Sequence, residues 1–133
     1  MSPGRVQQPS GAHRHEVVVR RLYEAINRGD SAAVAAAFTP DAVWHGGGRS
    51  VEGADAIARL VNTLHEASGG TLRVELHDVL ANDEHGVALQ VTRAERDGRL
   101  LEDRVVYVFH LRRGLITEAW FSGDPRVQDA FWD

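Results

Sequence analysis

The chain has 133 residues, 43% hydrophobic and 26% charged, enough to bury one core and too few for two. A net charge of -4 leaves no surplus of cations to track phosphates, and no apolar run approaches the roughly 20 residues that cross a bilayer, so neither nucleic acid nor a membrane is an expected partner. Cysteine is absent, which excludes disulfides, thiolate nucleophiles, thiolate zinc sites and iron–sulfur clusters and leaves chemistry to His, carboxylates, Tyr and Arg.

Residues 1–13 read as a disordered leader without the apolar stretch of a secretory signal, hence a cytoplasmic protein, and 14–133 as a single domain. Val19, Leu22, Tyr23 and Ile26 recur at helical spacing, opposite Arg20, Arg21, Glu24 and Arg28. Gly29 suits the end of this helix, and Asp30 suits the cap of a short second one over Ala32 to Phe38, closed by Thr39-Pro40. Ala42 to His45 is a short strand broken by Gly46-Gly47-Gly48. Ile57, Leu60, Val61 and Leu64 mark a third helix ending at Gly69-Gly70.

From Thr71 the period becomes two, predicting strands over 71–80, 87–96, 99–111 and 115–122, joined at Asn82–Gly86, at Asp97-Gly98 and at Arg112-Arg113-Gly114. The closing segment, Arg126 to Asp133, has helical spacing and suits a lid or a dimer contact. Helices first and hairpins afterwards predict an α+β fold: a cone-shaped roll of three N-terminal helices on a strongly curved antiparallel sheet enclosing a pocket.

Asn27-Arg28-Gly29-Asp30, then Phe38-Thr39-Pro40-Asp41-Ala42-Val43-Trp44-His45, then Val106 to Trp120 resemble the SnoaL-like branch of the nuclear transport factor 2-like superfamily, home of ketosteroid isomerases, polyketide cyclases and limonene-epoxide hydrolases. The resemblance covers about residues 15 to 124. It implies a small-molecule pocket and a cofactor-independent acid/base enzyme of isomerase or cyclase type, acting on a hydrophobic cyclic or polyketide-like substrate. Ketosteroid isomerase roles transfer poorly: the first-helix tyrosine falls on Leu22 beside Tyr23, the general base on Gly46 beside His45, and the protonated aspartate on Tyr107. That aspartate is the example used to show how an apolar site keeps a carboxylic acid neutral; a tyrosine donates without such help.

The candidate catalytic residues are therefore His45, Tyr107, Asp124 and Asp103. His45 ends a strand before three glycines and can exchange a proton near neutrality. Asp124 stands where SnoaL-like cyclases are expected to hold an acid/base aspartate, although Asp between Gly and Pro is also ordinary turn chemistry. If Tyr107 faces the pocket, alternation puts Asp103, Val105 and Phe109 on the same face, and the resemblance implies that Ala88, Gln90 and Thr92 lie on the pocket face of the strand before. Candidate substrate contacts are Tyr23, Trp44, Gln90, Thr92, Phe109, Trp120 and Phe121. The histidines show no metal-ligand spacing, so no metal or other cofactor is expected. Val87, Leu89 and Val91 form an apolar row on the far face, which predicts a homodimer through the sheet. Two alternatives stand beside the enzyme: a noncatalytic binding or interaction module, and an epoxide hydrolase using Asp103 with Arg93 or Arg104.

Overall fold

The computed structural model describes residues 11–46 and 49–133. The elements run α1 (Gly11–Arg28), α2 (Ser31–Ala36), β1 (Phe38–His45), β2 (Ser50–Glu52), α3 (Ala54–Ala67), β3 (Arg73–Ala81), β4 (His85–Arg96), β5 (Arg99–Arg112), β6 (Leu115–Ser122) and α4 (Pro125–Trp132). The sheet is curved and unclosed, in the order β2-β1-β6-β5-β4-β3.

The α+β class and the hairpin half follow the sequence closely. Asp97 (φ 53°) and Gly98 (φ 76°) form one tight turn, and Arg113 (φ 53°) with Gly114 (φ 82°) another. Two consecutive positive φ values match the twist of the flanking strands.

Four features depart from expectation. Residues 11–13, expected in the leader, belong to α1, which begins at Gly11; residues 1–10 lie outside the described residues, as do Gly47 and Gly48 of the glycine loop. Helix α2 stops at Ala36, and Phe38 already pairs with Ile116 in the sheet. Pro40 sits inside β1 where the register skips from Phe38 to Val43, a bulge in which its missing N–H costs no ladder bond. The sheet is not wholly antiparallel, since β1 and β6 run parallel. Finally, a fourth helix, α4, follows the sheet.

The Asn27–Asp30 corner explains how α1 docks. The Asn27 amide accepts from Val74 N–H (2.7 Å) and donates to Val74 C=O (2.9 Å), so a side chain completes the ladder of edge strand β3. Asp30 then caps α2 by accepting from Ala33 N–H (3.1 Å). Between α1 and the sheet lie Leu22, Val19, Phe109, Leu111 and Ile116, all essentially inaccessible. Each is worth about 1.5–3 kcal/mol by burial. Gly86 lets α1 approach β4, for a Cβ there would stand 3.2 Å from Val19 Cγ2.

Candidate functional site

The concave side of the sheet, roofed by α1, α3 and α4, encloses an inner chamber of about 90 Å³. An outer chamber of about 340 Å³ continues from it, and Trp44, Tyr107, Phe121, Gln128 and Trp132 wall both. The inner space holds one ring; the two together have the size of a small-molecule site.

Strand alternation sets the inner surface. On β4, Gln90 and Thr92 point inward; on β5, Val105 and Tyr107 do. Trp44 of β1 and Phe121 of β6 close the aromatic wall, with Trp44 and Tyr107 ring centroids 4.8 Å apart and Tyr107 and Phe121 5.6 Å apart. From α1, Tyr23 reaches across and donates its hydroxyl proton to Gln90 Oε1. Gln90 Nε2 in turn donates to Thr92 Oγ1 (2.9 Å). The inner chamber thus carries a fixed rail of neutral polar groups on an otherwise apolar lining.

Both tyrosines of the chain line this chamber. Burial pushes the Tyr23 phenol well above the usual tyrosine range, with the nearby Tyr107 adding to the effect. Burial likewise raises Tyr107; the Trp44 indole N–H, which can only donate to the phenol oxygen, opposes this, and the Asp103 charge adds to it. Tyr107 therefore stays a neutral phenol, able to donate its proton.

Asp103 itself lines neither chamber. Its carboxylate accepts from Gln128 Nε2 (2.7 Å), and Gln128 Oε1 accepts from Trp132 Nε1 (3.1 Å), so α4 is tied to β5 over the chamber. No arginine pairs with Asp103 among the described residues. Gln128 and Trp132, together with Val61 and Leu64 of α3, are pocket residues that sequence reasoning missed. The spacing of Gln128 and Trp132, one helical turn apart, was the available signal.

Besides Asp103, four expected site residues lie outside both chambers. Asp124 is the N-cap of α4: it accepts from Arg126 N–H (3.0 Å) and pairs with the Arg126 guanidinium (2.9 Å) at the surface. The Arg126 hydrogen bonds hold its carboxyl below the usual range, and it lines neither chamber. His45 is on the opposite face of the sheet, its Nε2 2.6 Å from Glu118 Oε2 and its Nδ1 3.1 Å from Ser50 Oγ. Trp120 stacks on His45 there (5.7 Å, 14° between planes), since consecutive residues of β6 cannot both face inward and Phe121 takes the pocket side. Phe109 faces inward but lies beneath the chamber, wholly buried, supporting Tyr107 at 6.1 Å between centroids. The arginines proposed to work with Asp103 are also outside: Arg93 pairs with Glu75 and Glu102, and Arg104 is exposed on the far face.

Comparison with known proteins agrees with this architecture. An uncharacterised protein of Mycobacterium tuberculosis is 32% identical over 122 residues, covering 86% of this chain and 93% of its own length. Bal32a, from a soil-derived mobile gene cassette, superposes with a TM-score of 0.87 at 28% identity, over 93% of this chain and all of its own. An LEH-like epoxide hydrolase of M. tuberculosis superposes at 0.78 with 18% identity, covering 94% and 89% of the two chains, a likeness of fold alone. The SnoaL-like domain model matches residues 19–119, from the first helix that roofs the chamber to the last strand that walls it, and the chain belongs to that family.

Proposed function

We propose that this protein takes a hydrophobic cyclic or polyketide-like molecule into the paired chambers and promotes a cofactor-independent proton transfer on it, of isomerase or cyclase type. The observation that carries this reading is Tyr107: a buried, neutral phenol in the apolar, aromatic wall of the inner chamber, with a carboxylate, Asp103, within electrostatic reach. A ring seated against Trp44 and Phe121 would place a carbonyl or enol oxygen at Tyr107, which stabilises developing negative charge, while Asp103 accepts or returns the proton. Asp103 replaces His45 and Asp124 in this role because it is the candidate carboxylate whose partner, Gln128, belongs to the lining.

The test is a thermal-shift screen with aromatic polyketides, steroids and terpenoids, followed by turnover of whichever compound stabilises the chain. Tyr107→Phe and Asp103→Asn should each lower turnover on the order of 100-fold or more without loss of folding. Full turnover in both variants overturns the assignment.

One observation favours a second reading, a noncatalytic ligand-binding module: apart from the two tyrosines, the inner chamber has no ionisable side chain in its lining. On that reading a ligand raises the melting temperature, Tyr107→Phe weakens its binding, and the compound is recovered unchanged. The epoxide hydrolase reading has less support, because Arg93 and Arg104 face away from Asp103's side of the sheet.

We also propose a homodimer through the outer face of the sheet, where Val87, Leu89, Val106 and Val108 are partly accessible and Trp120 is 36% exposed.

A further inference from the structure

We propose that Glu84, His85 and His110 form a binding site for a divalent first-row transition cation of the zinc class, on the outer face of the sheet and apart from the chambers. The two histidines are 25 positions apart, so no local spacing reveals them; the β4–β5 register sets them directly opposite each other. Their inward neighbours, Gly86 and Phe109, are likewise opposite, which turns both imidazoles outward. Their ring centroids are 5.2 Å apart at 41°. Glu84, at the β3–β4 turn, supplies the third donor, and one ligand atom from each residue lies within 4.8 Å of the others.

Two further features prepare these groups for a cation. The Thr117 hydroxyl donates its single proton to His110 C=O (3.2 Å), so its oxygen accepts from His110 Nδ1–H (3.1 Å). That bonding pattern would leave the lone pair on Nε2, the arrangement by which an outer partner orients a metal-binding histidine. The turn bearing the other two ligands is also held: Asn82 Oδ1 accepts from Glu84 N–H (2.9 Å) and His85 N–H (2.7 Å), and Glu84 C=O accepts from Leu111 N–H (2.8 Å). Closing on a tetrahedral ion, whose donors stand about 3.4 Å apart, then needs side-chain rotation of the exposed Glu84 and His85 toward the half-buried His110. Two imidazoles and a carboxylate select zinc, nickel or copper over magnesium or calcium. None of the three residues lines either chamber, so a cation here would pin the β3–β4 turn to β5.

The experiment is calorimetric titration of zinc chloride into the untagged, chelator-treated full-length chain. One equivalent should bind in the micromolar range and raise the melting temperature by several degrees at saturation. His85→Ala and His110→Ala should each weaken binding at least tenfold, and Glu84→Gln less. Nitrogen NMR of the imidazoles is the second measurement, made on the wild-type chain and independent of whether a variant folds: zinc should move the His85 and His110 resonances ahead of those of the other histidines, from a starting Nδ1–H signature at His110. Absence of binding below millimolar zinc, unchanged affinity in both alanine variants, or shifts centred on other histidines would each overturn the proposal.

Discussion

At the scale of single residues, the chamber's character comes from two phenols. Because burial raises both tyrosines above their ordinary value near 10, folding holds their protons more tightly than the unfolded chain does. Their contribution to stability is therefore fully present below about pH 10 and is lost as pH rises beyond it. The chain has only these two tyrosines, so tyrosinate absorbance should remain flat until the circular dichroism of the fold collapses, and the two curves should coincide. A phenol titrating in the still-folded protein would contradict this. Tyr23→Phe should cost about 1–3 kcal/mol in chemical denaturation, since Gln90 Oε1 would lose its donor inside the chamber. Alternation together with the family resemblance already placed Gln90, Thr92 and Tyr107 on one surface, and β4 and β5 pair without a bulge that would break the alternation. For Asp124 the resemblance suggested an acid/base role, but the Gly-Asp-Pro string starts a helix and its carboxylate serves as the helix cap.

Among the elements, α4 makes the difference between an open groove and an enclosed site. It is eight residues long, too short to be stable in isolation, and is held by contacts outside itself. Phe131 is buried in the core, and the terminal carbonyls are taken by arginines of the β4–β5 hairpin: Arg96 donates to Phe131 C=O (3.0 Å), and Arg99 to Ala130 C=O (2.9 Å) and Phe131 C=O (3.2 Å). Positive charge at a helix C-terminus adds to these bonds. Replacing both arginines by alanine should lower stability by about 1–2 kcal/mol and speed amide exchange in α4 before any other helix, as hydrogen-exchange mass spectrometry would show. Equal protection of α4 in the variant would refute the clamp. The helical spacing of this segment was legible, but its position was not, because the arginines that hold it belong to a hairpin about 30 residues earlier. The same limit applies to β2, which has three residues and no pattern of its own, and to the start of β1, where Phe38 and Thr39 follow an alanine-rich helix directly. There, pairing with Ile116 decides between helix and strand.

For the molecule as a whole, one face of the sheet is covered by helices and the other by nothing among the described residues. A sheet with one covered face alternates apolar and polar residues, yet the far side of β4 and β5 presents Val87, Leu89, Val106 and Val108. Val91, expected in the same exposed row, is already buried within the single chain at 5% exposure, flanked by the register partners Glu75 and Arg104. The remaining patch runs from Leu80 on β3, the register partner of Val87, to Trp120 on β6. Charges stand at its margin, with Arg93, Glu75 and Glu102 paired among themselves, so a two-fold arrangement of copies can bury the apolar centre and keep the ion pairs on a polar rim. A second copy of the chain is consequently the proposed occupant, and Val108, whose partner across the ladder is Trp120, is near its centre. Val108→Arg places a charge in that centre without touching the chambers on the opposite face. It should convert a dimer to a monomer in sedimentation velocity while leaving ligand-induced thermal shifts in place. If the unaltered chain sediments as a monomer at tens of micromolar, the apolar face is not an interface between copies.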